Sequence, residues 1–218
     1  MEAAGGKALA VACDIRFEEQ IQQVVQKTVE KFGGIDILIN NASAISLTDT
    51  EKTEVKKFDL MHDINVRGTF LMTKACIPFL RKGSNPHILT LSPPIDLQSK
   101  WLKGHVAYTM SKYNMSMMTL GWAAEFKEVG IAANSLWPRT TIDTAAVRNL
   151  LGGQALANMS RTPEVLADAA YYILRQAATS CTGNLFIDEA VMAKEGITDL
   201  SGYSVVPGAQ LFNDLFVG

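Results

Sequence analysis

Two periods of hydrophobicity alternate along this chain. Short apolar-rich runs at 8–13, 36–39, 87–91, 132–137 and 185–187 stand between longer stretches in which apolar residues recur every three or four positions. Runs of that length predict strands buried on both faces, and the longer stretches predict helices laid against them. The clearest helical stretch is 17–32, where Ile21, Val24, Val25, Thr28, Val29 and Phe32 share a face before Gly33-Gly34 stops the turn. Further helices are predicted at 55–63, 68–80, 107–127 and 163–176. The last is opened by Thr162-Pro163-Glu164, a capping residue, a first-turn proline and a first-turn acid. Residues 190–218 read as a tail or edge segment. Strand, helix, strand in repetition predicts an α/β fold with a parallel sheet. No internal repeat, low-complexity tract or linker divides the chain, so 1–218 is expected to form a single domain.

Composition narrows this picture. With 218 residues, 48% hydrophobic and 19% charged, the chain can bury one sizeable core and has no signature of disorder. A net charge of −2 offers no electrostatic footprint for nucleic acid or an anionic membrane. Cys13, Cys76 and Cys181 match no metal-ligand spacing and read as thiols of a reducing compartment. No apolar run approaches the length of a membrane span, and the first residues lack the pattern of a signal peptide, so an intracellular location is expected.

The chemistry is concentrated in Ala107-Tyr108-Thr109-Met110-Ser111-Lys112. A Tyr and a Lys four residues apart on a helix project from one face, one turn apart. An ammonium beside a phenol is expected to favour the phenolate and lower the Tyr pKa from about 10, toward a range useful for proton transfer. Taken alone, such a pair is also common on solvated helix faces. His62, His87 and His105 have no visible partner and read as surface or core histidines.

Four strand ends frame that helix in a fixed order: Asp14-Ile15, Asn40-Asn41-Ala42-Ser43, Leu91-Ser92-Pro93-Pro94 and Leu136-Trp137-Pro138, followed by Phe186-Ile187-Asp188-Glu189. In this order and spacing the chain resembles the short-chain dehydrogenase/reductase family over essentially its whole length. The resemblance implies a Rossmann-like doubly wound parallel sheet and NAD(P)-dependent interconversion of a carbonyl and a secondary alcohol. The cofactor expected is NADP, with NAD as the alternative. Tyr108 would be the proton donor or acceptor. Lys112 would lower its pKa and hold the nicotinamide ribose, and Asn65 would hold a water that passes protons to Lys112. Ser92 would polarise the substrate oxygen. Asp14 and Ile15 would lie along the adenine, the Asn40, Asn41 and Ala42 backbone would line the cofactor, and Pro138, Thr140 and Thr141 would touch its nicotinamide side. Plainer readings stay open: Asp14 as a helix N-cap, Asn40 and Asn41 as loop residues tying strands together, Asn65 as a kink residue and Pro138 as a strand stop.

The sequence departs from the family pattern in two places. The family's serine lies thirteen residues before its tyrosine; that position here is Ile95, Ser92 lies sixteen before, and the strand alignment puts the serine position on Pro93. Either Ser92 takes the role or one catalytic hydrogen bond is lost. At the front, the family's first two strands and its Thr-Gly-x-x-x-Gly-x-Gly turn, roughly sixty residues, have no counterpart, and Gly5-Gly6 opens no helix. The fold expected is therefore a doubly wound sheet truncated at its N-terminus. Two absent strands would leave a gap of about 14 Å between their neighbours at about 4.8 Å per step, cutting the sheet and removing the helix N-terminus that holds the pyrophosphate. Relatives that carry a sterol-carrier-like domain do so after the point where this sequence stops.

Two functions follow. One is an oxidoreductase acting on a hydrophobic, lipid- or steroid-like carbonyl or alcohol, with Trp101 and Leu102 near the pocket and Met117 and Met118 more in keeping with a core. The other is an inactive isoform or fragment in which dinucleotide binding is doubtful, surviving as a binding or dimerising partner. The resemblance implies a homo-oligomer through the 55–80 and 107–127 helices, and a peroxisomal or mitochondrial location.

Overall fold

Ile88 and Leu89 are neighbours in one strand, both fully buried, and they belong to different cores because successive side chains of a strand leave on opposite faces. Their strand is β2, His87–Thr90, in a parallel sheet of four strands in the order β1-β2-β3-β4. The others are β1 Ile37–Asn40, β3 Ala132–Trp137 and β4 Leu185–Ile187. The register sets Leu38 beside Ile88, Ile88 beside Ala133 and Leu136 beside Phe186. This is a computed structural model describing residues 1–218.

One face of the sheet is covered by α1 Glu18–Phe32, α3 Thr69–Leu80 and α4 Val106–Glu125, whose Val25, Cys76, Leu80, Trp122 and Ala123 pack on Ile88 and Ala133. The other is covered by α6 Glu164–Leu174 and α7 Asp188–Lys194, whose Val165, Ala169, Ile173, Val191 and Met192 pack on Leu89 and Leu136. Two short helices, α2 Val55–Met61 and α5 Gly153–Asn158, complete the chain. Helices on both faces of a parallel sheet make it doubly wound, as expected. The predicted stop of α1 is realised by Gly33 in the left-handed region, φ 88°, donating its N–H to Val29 O at 2.8 Å.

Two expectations fail. The 8–13 run is not a strand: its backbone makes no hydrogen bond to other backbone, and its contacts include Ala8 O accepting from Lys31 Nζ at 3.0 Å. A strand needs a neighbour as well as an apolar pattern, and β1 pairs only with β2. The cut that the missing neighbours implied is therefore present, and β1 is an open edge with Ile37 43% and Ile39 47% exposed. The 190–218 stretch is not a loose tail either. It completes α7, and its end crosses back past β3, with Thr140 bridged to Asn213 and Thr141 N–H donated to Phe212 O at 2.9 Å.

Candidate active site

The carboxyl ends of β1, β2 and β3 meet the first turns of α4, the crevice where open α/β sheets bind ligands. A cavity of about 500 Å³ opens there, lined by Ile39 and Asn41 from β1 and its loop, Ser43, Leu91, Tyr108, Lys112, Trp137 and Pro138. Most of the lining is apolar, which is the ordinary character of a small-molecule site.

Tyr108 and Lys112 share the inward face of α4, both buried. Lys112 Nζ donates to Leu91 O at 2.7 Å and to Ser43 Oγ at 3.4 Å, and lies 5.0 Å from the centre of the Trp137 ring. A cation over an indole face is attracted to it, so carbonyl and ring together hold an ammonium in a dry place. Burial nevertheless pulls Lys112 down to about 7, and the charge of Asp214 opposes the shift. The phenol moves the other way: burial pushes Tyr108 above its ordinary value, with Asp214 adding to the rise. The expected lowering by Lys112 is thus not found in this chain. The ammonium is turned to the end of β2, and desolvation of the phenolate dominates. Tyr108 Oη makes no hydrogen bond, so it is free to meet a ligand in the cavity it lines.

Asn65 sits in a π-helical turn, His62–Gly68, that breaks the run from α2 into α3. Such insertions recur at functional sites because they re-aim a side chain. Here Asn65 Oδ1 accepts from Ala44 N at 2.7 Å, and Nδ2 donates to Ala44 O and to Ser111 Oγ, both at 2.9 Å. Ser111 Oγ in turn donates to Tyr108 O at 2.8 Å, so Asn65 clamps the loop after β1 to the helix that carries the tyrosine. Asn40, read as a sheet tie, donates from Nδ2 to Thr73 Oγ1 at 3.1 Å.

Not every expected residue reaches the cavity. Asn41, Tyr108, Lys112 and Pro138 line it, whereas Asn40, Ala42 and Asn65 stand behind it. Ser92 is fully buried, its hydroxyl finds no partner, and it does not line the cavity; Leu91 does so instead. Asp14 neither caps α1 nor approaches the site, because its carboxylate is taken by Arg16 at 2.6 Å. Ile15 packs so closely on Gly68 that a Cβ there would lie 2.7 Å from it. Thr140 Oγ1 is buried without a partner, and Thr141 Oγ1 pairs with Ser160 Oγ at 2.8 Å. Trp101, expected near a substrate, packs on Phe216; of the two methionines expected in a core, Met118 joins the core beneath α4 and Met117 is exposed.

The residues that sequence reasoning missed come from the other end of the chain. Phe216 is buried against Tyr108, Tyr113, Trp101, His105 and Trp137, with centroid separations from 5.3 to 6.3 Å. Asp214 is brought close enough to influence both Tyr108 and Lys112, and burial pushes it up to about 6. Only a long-range contact places them, and no local spacing announces it.

The sequence from 1 to 189 matches the family described as enoyl-(acyl carrier protein) reductase. The chain belongs to the short-chain dehydrogenase/reductase family. Within it, the chain is 55% identical over 217 residues to hydroxysteroid dehydrogenase-like protein 2 of Danio rerio, covering 100% of this chain and 52% of that protein. It is 51% identical to the Homo sapiens protein of the same name, covering 100% of this chain and 51% of that one. The chain therefore spans about half the length of these relatives. Among solved structures it superposes on a dehydrogenase from Xanthomonas campestris with TM-score 0.95 and 51% identity, over 100% of this chain and 79% of that one. A short-chain dehydrogenase from Mycobacterium thermoresistibile gives TM-score 0.92 and 52% identity, over 100% and 77%.

Members of the family bind NAD or NADP. The cavity suits one end of such a molecule: an ammonium for ribose hydroxyls, a free phenol and apolar walls for a nicotinamide ring. It does not suit the other end. Lys112 is the only cation in the lining, and residues 1–218 hold no glycine-rich turn between a strand and a helix, so the diphosphate has no anion site among them.

Proposed function

We propose that these residues form the proton-transfer and substrate half of an oxidoreductase that interconverts a hydrophobic ketone and its secondary alcohol. The observation that carries this reading is the Tyr108 phenol, unbonded in a largely apolar cavity, with Lys112 one turn away and held at Leu91 O and Trp137. A bound nicotinamide supplies or accepts the hydride. Tyr108 gives its proton to the carbonyl oxygen in reduction and takes it back in oxidation. A phenol kept protonated by burial is ready to donate near neutral pH, whereas accepting a proton requires the phenolate, so oxidation is favoured at higher pH than reduction. Asn65 keeps Tyr108 in place through Ser111, and Trp137 and Leu136 present apolar surface to the substrate.

A second reading is supported by the missing diphosphate site: the 218-residue chain alone holds NADP or NAD weakly and turns over little. Association between copies through α2, α3 and α4 is supported by the exposed Val55, Phe58, Phe70, Met110 and Met117 on those helices. Hydride transfer from NADPH to a steroid-like ketone, followed with the intact chain and Tyr108→Phe, tests the first reading. The expected result is a loss of at least about 100-fold in kcat/KM, in the range general acid catalysis contributes. Equal rates in the two proteins would remove Tyr108 from the mechanism.

A further inference from the structure

Immediately past β3 the chain end returns as a strap. Phe212 N–H is donated to Met159 O at 2.9 Å, Thr141 N–H to Phe212 O at 2.9 Å and Asp214 N–H to Arg139 O at 3.1 Å. Trp137 Nε1 then donates to Leu215 O at 2.8 Å, and Leu215 N–H to Asp214 Oδ1 at 2.6 Å. These bonds fix the approach of Phe216, the one residue other than glycine with positive φ, at 70°. A bulky residue in the left-handed region is an outlier that surrounding contacts must impose, and such outliers cluster at ligand clamps and switches. Here the imposed conformation seats a phenyl ring against Tyr108, rings 6.3 Å apart and inclined by 30°, and leaves the phenylalanine 3% exposed. The same strap sets Asp214 beside Leu215, whose carbonyl takes the Trp137 indole N–H, and the Trp137 ring lies 5.0 Å from Lys112 Nζ.

We propose that Phe216 and Asp214 are positioning residues of the Tyr108–Lys112 pair, carried on a 212–217 strap that keeps water from the rings of Tyr108 and Trp137. This rests on the proton-transfer reading above. Phe216 keeps the surroundings of Tyr108 and Lys112 apolar, and Asp214 supplies the negative charge that offsets the buried ammonium. The other titratable or charged groups facing this corner are Asp188 at the start of α7, His105 just before α4, Tyr113 on α4, and Arg139, which leans to Glu189 at 3.8 Å. Asp188 Oδ1 is held by the N–H groups of Arg139 and Glu189, at 2.8 and 2.7 Å, and its charge acts on Asp214 rather than on Lys112.

The test uses the 218-residue chain with lysine labelled with carbon-13 at the ε position, the Lys112 resonance being the one absent from Lys112→Met. Its pH titration is followed by nuclear magnetic resonance without any ligand. Phe216→Gly removes the ring and relieves the backbone, so it is the variant expected to fold; Phe216→Leu keeps an apolar plug. Water admitted by Phe216→Gly is expected to raise the Lys112 midpoint by about one pH unit or more, with Phe216→Leu close to the original, while Asp214→Asn lowers it. A Lys112 midpoint unchanged by Phe216→Gly or by Asp214→Asn, in proteins with the original circular dichroism, overturns the proposal. The midpoint reports the strap whether or not the chain transfers hydride. Shifted midpoints in a chain that reduces no ketone would remove only the catalytic reading, and active enzyme with unmoved midpoints would remove only the strap.

Discussion

β1 and β3 belong to one sheet and live in opposite surroundings. All six residues of β3 are buried, covered by helices on both faces and flanked by β2 and β4. In β1 only Asn40 is buried, and its outer side meets no strand. The cavity runs between these environments, from a dry end at Lys112 and Trp137 to a wet end at the half-exposed Ile39. The difference teaches where chemistry can be held. A buried ammonium and a free phenol need layers on every side, and those converge at β3. No charged side chain lines the cavity at the β1 end.

The comparison can be broken first through the core. Leu136→Ala in β3 is expected to cost about 2–5 kcal/mol in urea unfolding, because the lost methyl groups leave a cavity among α6, α7 and β2. Ile37→Ala on the open edge is expected to stay within about 0.5 kcal/mol of the original. Equal losses would mean that the edge is covered in solution.

The charge buried at the dry end gives the next largest effect. Lys112 has a folded value of about 7, below the ordinary 10.5, so between those values the unfolded chain binds a proton that the folded chain does not. Stability therefore rises with pH across that window, by at most about 1.4 kcal/mol per unit, and the gain is lost as pH falls through 7. Asp214, raised to about 6 from 3.8, acts in a separate window and with the opposite sign. Measured between pH 7 and 9, below the range where the buried Cys76 thiol would intervene, the rise should vanish in Lys112→Met. A flat profile in the original chain would mean that water reaches the ammonium.

Asn65→Ala comes third. It removes three hydrogen bonds and leaves Ala44 N–H without its partner, an expected cost of about 1–3 kcal/mol by thermal or chemical unfolding. Because the clamp joins the β1 loop to α4, the variant should also loosen the wet end more than the dry one, read as faster amide exchange at 41–46 than at 132–137. Uniform change across both would show that Asn65 serves the fold at large.

Much of this was legible in the sequence. The strands at 36–39, 87–91, 132–137 and 185–187 declare themselves by short apolar-rich runs, and Gly33 and the Pro163 turn punctuate their helices, because those signals are local. The Tyr108–Lys112 pair is local too, four residues on one helix. What failed depended on partners distant in the chain. The 8–13 run has the composition of a strand and lacks a neighbour, and Ser92 sits one residue past the carbonyl that Lys112 uses. Phe216 reads as an ordinary apolar residue near the end of the sequence, with a backbone that costs about 1–2 kcal/mol for a residue with a Cβ, and only its five aromatic neighbours reveal why it is there.

The proposal that these residues hold a nicotinamide and offer no diphosphate site is tested most directly by a pair of binding titrations on the 218-residue chain, one with NADPH and one with reduced nicotinamide mononucleotide. With no anion site for the diphosphate, the two should bind weakly and within about tenfold of each other, a difference of about 1.4 kcal/mol or less. Micromolar NADPH binding, about 100-fold or more tighter than the mononucleotide, would contradict it.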